Sequence, residues 1–345
     1  MQSELSSSTA TSQVDSTSVK SMDKKESSAR LNLIVHQNLQ GHEGAVTKLA
    51  WNLNHEKFAS SDQNGLIIVW SLKASLWQEE MVNKREKSLV SDMKWTPDGS
   101  CICIVYEDGG IIVGSVEGKR IWGGEIGEAV KFVEWFPSGK QILIIHNSNM
   151  MSVYDDKGHK LMNLDDFYKS HNNFLLPNFD IRKKKNEDKA LQQGNIVSIH
   201  WIDKKSGQYG LSNPTLAIGF DDGLCYLYKG IYDNNPIALN TNFTLTECCF
   251  SPDGSIVILV GKSYKSGQTK FDYTLQFYSC NGRLIQSIMC PIQVNLGSVI
   301  SGVSWEGNGS RIALAVDSYL YFVNIKPDFK WGSYGSTIVY ASIKV

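Results

Sequence analysis

The chain has 345 residues, of which 42% are hydrophobic, 10% aromatic and 20% charged, enough apolar content for a sizeable core. Its 34 Lys and Arg balance 35 Asp and Glu to a formal charge of −1, so no global basic excess favours nucleic acid or an anionic membrane. Seven cysteines, an odd number without C-x-x-C spacing, argue against a disulfide framework or a zinc site and point to buried free thiols in a reducing compartment.

Residues 1–30 hold ten Ser and three Thr and almost no large apolar side chains. Such a segment buries too little surface to offset its ordering entropy, so it is expected to be disordered. It lacks the apolar core of a signal peptide, and runs such as Ile256–Val260 are too short to span a bilayer, so the chain reads as soluble and intracellular. Leu31–Leu39 reads as a single strand leading into Gly41.

From Gly41 to Trp70 lie three short apolar runs, Ala45–Trp51, Phe58–Ser61 and Leu66–Trp70, separated by polar, turn-rich breaks. Three strands bracketed by Gly41-His42 and Trp70 match the WD-repeat signature of a β-propeller blade. The signature is structural: the His can hydrogen-bond into the turn between the second and third strands and to the Trp. The turn position six before Trp70 is Asn64 rather than Asp, and Asn can accept the same bond without the charge.

The pattern recurs. Trp51, Trp95, Trp135, Trp201, Phe250 and Trp305 each end an apolar strand. Most are followed by a turn sequence such as Thr-Pro-Asp-Gly, Phe-Pro-Ser-Gly or Ser-Pro-Asp-Gly, which supplies the fixed φ and the φ > 0 position a hairpin needs. Second strands follow at Cys101–Tyr106, Gln141–His146, Thr215–Phe220, Ile256–Gly261 and Arg311–Val316. Third strands follow at Ile111–Val116, Met150–Tyr154, Leu224–Tyr228, Tyr273–Tyr278 and Leu320–Ile325. Outer strands are less regular, with Arg120–Trp122 and Leu284–Met289 as examples. Ser336–Ser342 reads as the outer strand of the last blade or as the strand that closes the ring. The fold class is therefore an all-β WD-repeat β-propeller over residues 31–345 with six recognisable blades.

The widest gap, between Trp135 and Trp201, marks a loop insertion at about 155–194. It carries the basic run Arg182, Lys183, Lys184 and Lys185. A solvated loop is one reading; a contact loop touching protein or, weakly, membrane headgroups is the other.

No catalytic constellation is found: there is no P-loop, GxSxG, HExxH, or GxGxxG after a strand. Asp221-Asp222-Gly223 and Glu107-Asp108-Gly109 occupy second-to-third strand turns and are read as structural. An active site in the central channel would need acids or histidines clustered on the innermost strands, and none is read there. No cofactor or metal is expected.

Several stretches go beyond a generic repeat: SSDQNGLIIVW (Ser60–Trp70), WQEEMVNKREKS (Trp77–Ser88), ICIVYEDGGIIVGSVEGKRIWG (Ile102–Gly123), SWEGNGSRIALAVDS (Ser304–Ser318) and NIKPDFKWG (Asn324–Gly332). They closely resemble the N-terminal propeller of the WD-repeat subunits of intraflagellar transport complex A, over most of residues 40–345 and less so at about 155–245. The resemblance implies a non-enzymatic scaffold for retrograde ciliary transport, cilium assembly and ciliary entry of membrane-protein cargo. Its partners would be other complex A subunits, tubby-like adaptors and cargo, without nucleic acid, and its location the cytoplasm, cilium, axoneme and basal body. A vesicle-coat-like trafficking propeller is the alternative. The family ring implies another blade before Gly41 and further domains after residue 345. The seventh blade would then be missing or incomplete, with Leu31–Leu39 in its place and the ring left open or closed on six.

Overall fold

The computed structural model describes residues 31–342 apart from 86, 149, 164–193, 203–214, 230–232, 234, 265–270, 291, 293–298, 328, 335 and 336. The expected disordered segment 1–30, most of the insertion and its basic run Arg182–Lys185 lie outside the described residues.

Strand β1 (Leu31–Leu39) comes first. The first blade is β2 (Val46–Trp51), β3 (Lys57–Asp62), β4 (Leu66–Lys73) and β5 (Leu76–Lys84). The second is β6 (Val90–Trp95), β7 (Cys101–Tyr106), β8 (Gly110–Ser115) and β9 (Arg120–Glu125). The third is β10 (Val130–Trp135), β11 (Gln141–His146), β12 (Met151–Asp155) and β13 (Lys160–Asn163). The fourth is β14 (Ile196–Ile202), β15 (Thr215–Phe220), β16 (Leu224–Tyr228) and β17 (Ile237–Asn240). The fifth is β18 (Thr244–Phe250), β19 (Ile256–Tyr264), β20 (Phe271–Ser279) and β21 (Leu284–Met289). Then come β22 (Ile300–Trp305), β23 (Arg311–Val316), β24 (Tyr319–Pro327), β25 (Phe329–Tyr334) and β26 (Thr337–Ser342).

Each blade is a four-stranded antiparallel sheet in chain order, except the sixth, whose order is β1-β24-β23-β22. Strand β1 runs antiparallel along β24 from Leu31 opposite Pro327 to Leu39 opposite Leu320. It is thus the outer strand of blade six and does not hold an open seventh position. The tail also departs from expectation: β26 pairs with β25 in a separate two-stranded hairpin. Lys160–Asn163, assigned to the insertion from sequence, pairs with β12 as the outer strand of blade three.

Both faces of each sheet are covered by neighbouring blades, which is why the middle strands are buried almost throughout instead of alternating. Every residue of β15 is buried, as are all but the first of β3 and β11. Six hydrophobic clusters result, one between each adjacent pair of blades. The one that closes the ring joins Leu49, Trp51, Phe58 and Ile68 of blade one to Ala313, Ala315, Leu320 and Phe322 of blade six. There the Trp51 and Phe322 rings lie 4.9 Å apart.

Local chemistry fixes the hairpins. Gly99, Gly139, Gly254 and Gly309, after four inner strands, have φ between 64° and 75°, a region that disfavours side chains. Asp98 Oδ1 accepts the Thr96 hydroxyl at 2.6 Å and the Ser100 N–H at 3.0 Å, and Asp253 does the same for Ser251 and Ser255. Each inner strand also carries a register shift near its start, as between Val46 and Lys48 and between Val90 and Asp92. The shift sets the same residues of all six strands toward the ring axis.

Candidate functional site

Blade one contains a buried hydrogen-bond chain. Trp70 Nε1 donates to Ser60 Oγ at 2.9 Å, Ser60 Oγ lies 2.7 Å from His42 Nε2, and His42 Nδ1 lies 3.0 Å from Asp62 Oδ2. Burial holds the His42 imidazole below its ordinary pKa although Asp62 opposes this. The ring is therefore neutral at pH 7, with Nδ1–H donating to Asp62 and Nε2 accepting from Ser60. The carboxylate in this chain belongs to Asp62, not to the turn position of Asn64. Asn64 donates its backbone N–H to Asp62 Oδ1 at 2.9 Å. Counting six residues back from Trp70 misplaced the acceptor by two. Blade three keeps an echo, His146 Nε2 to Ser152 Oγ at 2.9 Å.

The five anchor tryptophans end the inner strands and line one end of the channel. Two clasp the preceding blade, Trp95 Nε1 donating to Ala50 O and Trp135 Nε1 to Lys94 O, each at 3.0 Å. The buried indole nitrogens of Trp201 and Trp305 have no partner among the described residues. Trp51 sits in the ring-closing cluster.

Sequence reading missed what lies beside these anchors. One residue before each aromatic, the inner strands place Ala50, Lys94, Glu134, His200, Cys249 and Ser304 around the axis. Three residues before, they place Lys48, Asp92, Phe132, Ser198, Glu247 and Gly302. Acids and a histidine do cluster on the innermost strands, contrary to expectation. The signal was available as two columns read across the six anchors, and no single strand displays it.

All of these but Phe132 and Ser198 line a cavity of about 350 Å³ to which all six blades contribute. Asp92 is well held, Oδ1 accepting Met93 N–H at 2.9 Å and Oδ2 accepting Val133 N–H at 3.1 Å. Ser198 Oγ donates to Glu247 Oε1 and accepts Cys248 N–H at 3.1 Å. Ser304 Oγ accepts Trp51 N–H at 3.0 Å across the ring closure. Glu134 is less well served: its buried Oε2 has no hydrogen bond and lies 3.7 Å from Lys94 Nζ. Burial pushes the Glu134 carboxyl up to about 8, with Lys94 opposing and Asp92 adding to the shift. Burial likewise raises Glu247, and burial with the Lys94 charge pushes His200 down to about 3. For Lys94 burial acts against the charge, but Asp92, Glu134 and Glu247 outweigh it and hold the ammonium above its usual range. No three His, Cys, Asp or Glu among the described residues are disposed to hold a metal ion.

A six-bladed ring with one intact His–Ser–Trp–Asp chain is a frame that known families share, and a family model described as WDR35/TULP4 N-terminal matches residues 11–326. The chain belongs to this β-propeller family. Within and around it, the rat WD repeat-containing protein 35 is 39% identical over 311 residues, covering 90% of this chain and 25% of the rat protein. The human WD repeat-containing protein 35 is 38% identical over the same length, covering 90% of this chain and 24% of its own. Mouse Tubby-related protein 4 is 25% identical over 307 residues, or 85% of this chain and 19% of the mouse protein. The chain thus spans about a quarter of the length of the WD repeat-containing relatives it matches.

Proposed function

We propose that this propeller is a non-enzymatic scaffold of intraflagellar transport complex A, serving retrograde ciliary transport, cilium assembly and the ciliary entry of membrane-protein cargo. The observation that carries the reading is the 39% identity to a WD repeat-containing protein 35 across 90% of the chain. The architecture supports it: six interblade cores make a rigid ring, and a rigid ring can display loops and faces to other subunits without reordering. Tubby-like adaptors enter as partners through the likeness to Tubby-related protein 4. The acids of the channel fit a non-catalytic role in part, because Asp92 is tied to backbone N–H groups and Glu247 to Ser198. On this reading the protein works in the cytoplasm, cilium, axoneme and basal body.

The test is affinity capture of the gene product, tagged at its own locus in ciliated cells and read by mass spectrometry. Complex A subunits should be recovered in stoichiometric amounts. Their complete absence would sink the reading.

A further inference from the structure

Three asparagines in the chain stand directly before a glycine: Asn64, Asn281 and Asn308. An Asn-Gly step is chemically reactive, because the glycine nitrogen, unshielded by a Cβ, can attack the side-chain carbonyl of the residue before it. All three pairs close the same kind of turn. The glycine N–H donates to the carbonyl three residues back, Asp62 O at 3.1 Å, Ser279 O at 2.9 Å and Glu306 O at 2.9 Å. Gly65, Gly282 and Gly309 have φ of 78°, 86° and 75°, and all three asparagines are exposed.

The turns differ in how the two reacting groups are held. Asn308 Oδ1 accepts the Ser310 N–H at 2.8 Å, which ties its carbonyl to another donor. At Asn64 the nitrogen is the protected partner. Gly65 is buried, and the Asp62 carboxylate accepts the N–H groups on both sides of it, Asn64 at 2.9 Å and Leu66 at 3.0 Å. A carboxylate there opposes loss of the Gly65 proton, the step that makes the nitrogen a nucleophile. Asn281 has neither restraint. Its side chain makes no hydrogen bond among the described residues, and Gly282 is only half-buried. The next residue is Arg283, whose positive charge favours the anionic nitrogen.

The turn that carries Asn281 joins β20 to β21 and is seated on the neighbouring blade. A Cβ on Gly282 would lie 2.5 Å from Ile237 Cγ2 and 3.5 Å from Leu239 Cδ2, both on β17. Ser279 fixes the turn from inside, its N–H donating to Arg283 O at 2.9 Å and its Oγ accepting the Arg283 N–H at 3.2 Å. A longer main chain does not fit between these anchors.

We propose that Asn281 is the site of spontaneous deamidation in this propeller, and that its isoaspartyl product lifts the β20–β21 turn off blade four. Hydroxide takes the Gly282 N–H proton, and the nitrogen attacks Asn281 Cγ. The new C–N bond expels ammonia, which takes its proton from water and leaves a succinimide. Water then opens the ring. Opening at the side-chain carbonyl gives aspartate; opening at the main-chain carbonyl gives isoaspartate, whose backbone is longer by a methylene. The conversion consumes water, releases ammonia and needs no other reactant.

The test incubates the whole folded chain in buffers on the acid and alkaline sides of neutral and follows each site by peptide mass spectrometry. Methyl transfer from S-adenosylmethionine by a protein isoaspartyl methyltransferase reports the isoaspartyl fraction. Conversion at Asn281 should outpace that at Asn64 and Asn308 by at least about tenfold, the factor one hydrogen bond supplies, and should quicken with rising pH. The same chain unfolded in urea is the control, and there the gap between the three sites should close to a few-fold. Asn281→Gln should remove most methyl acceptance while circular dichroism shows the fold retained. If that variant does not fold, site mapping on the unaltered chain decides. In chains that carry isoaspartate, the amides of Leu284–Met289 should exchange hydrogen at least about tenfold faster than in fresh chains. Conversion at Asn64 or Asn308 as fast as at Asn281, no conversion at Asn281, or a tenfold ranking that survives unfolding overturns the site. Unaltered exchange along β21 in chains that carry isoaspartate overturns its structural consequence.

Discussion

Ser60 carries more than its size suggests. One hydroxyl accepts from Trp70 and donates to His42, so it joins the third strand of blade one to the segment that enters the blade. Ser60→Ala should leave Trp70 Nε1 and His42 Nε2 buried without partners. We expect a loss of about 1–3 kcal/mol in urea unfolding, with the slope of the transition unchanged. Glu134 should behave in the opposite sense. Its pKa is about 8 in the folded chain against 4.5 unfolded. Below pH 4.5 both states hold the proton. Between 4.5 and 8 the unfolded chain ionises while the folded one keeps its proton, so the stability this group contributes falls as pH rises. Glu134→Gln, which mimics the protonated acid, should match the unaltered chain near pH 4.5 and exceed it above pH 8 by about 1–3 kcal/mol. Denaturant midpoints across pH 4.5–9 measure the gap, and a constant gap would contradict the assignment.

At the scale of strands, legibility followed sequence distance. The inner and middle strands could be read because each hairpin is encoded within about ten residues. An aromatic end, a Pro or Asp, and a Gly at positive φ suffice, as at Trp95–Gly99 and Phe250–Gly254. The partner of β1 could not be read that way, since the pairing of Leu31–Leu39 with β24 spans the whole ring and leaves no trace in local spacing. Ser336–Ser342 and Lys160–Asn163 were misassigned although their partners, β25 and β12, are their neighbours in the chain. The channel acids were hidden for another reason: Glu134 stands between Val133 and Trp135 in a strand that is otherwise core, and its meaning emerges only beside Lys94 and His200. Strand β1 offers a direct test. A chain that begins at Gln40 leaves β24 as a bare edge, and exposed edges recruit other strands. Its unfolding midpoint should fall by about 5 °C or more, with higher-mass species in size-exclusion chromatography. An unshifted midpoint and a single monomer peak would show that β1 is dispensable.

On the scale of the whole molecule, six interblade cores of similar make-up distribute the stability around a circle. No blade is peripheral, because each supplies one wall to each of two neighbours. The cavity on the axis inherits this: a change in any one inner strand alters one sixth of its wall while the other five hold their positions.

The pairing of β1 with β24 has a temporal side. Leu31 is synthesised well before its partner Pro327, with five whole blades between them. At about 5–20 residues per second, the first strand leaves the ribosome tens of seconds before its partner exists. Blades one to five can form from contiguous chain during that wait, but the sixth requires β1 and β24 together. Meanwhile Ile34 and Val35, 48% and 40% exposed even in the finished ring, sit on a strand with unpaired backbone. Ring closure is thus the pairing of greatest sequence separation in the propeller, and until it forms β1 is the strand left exposed.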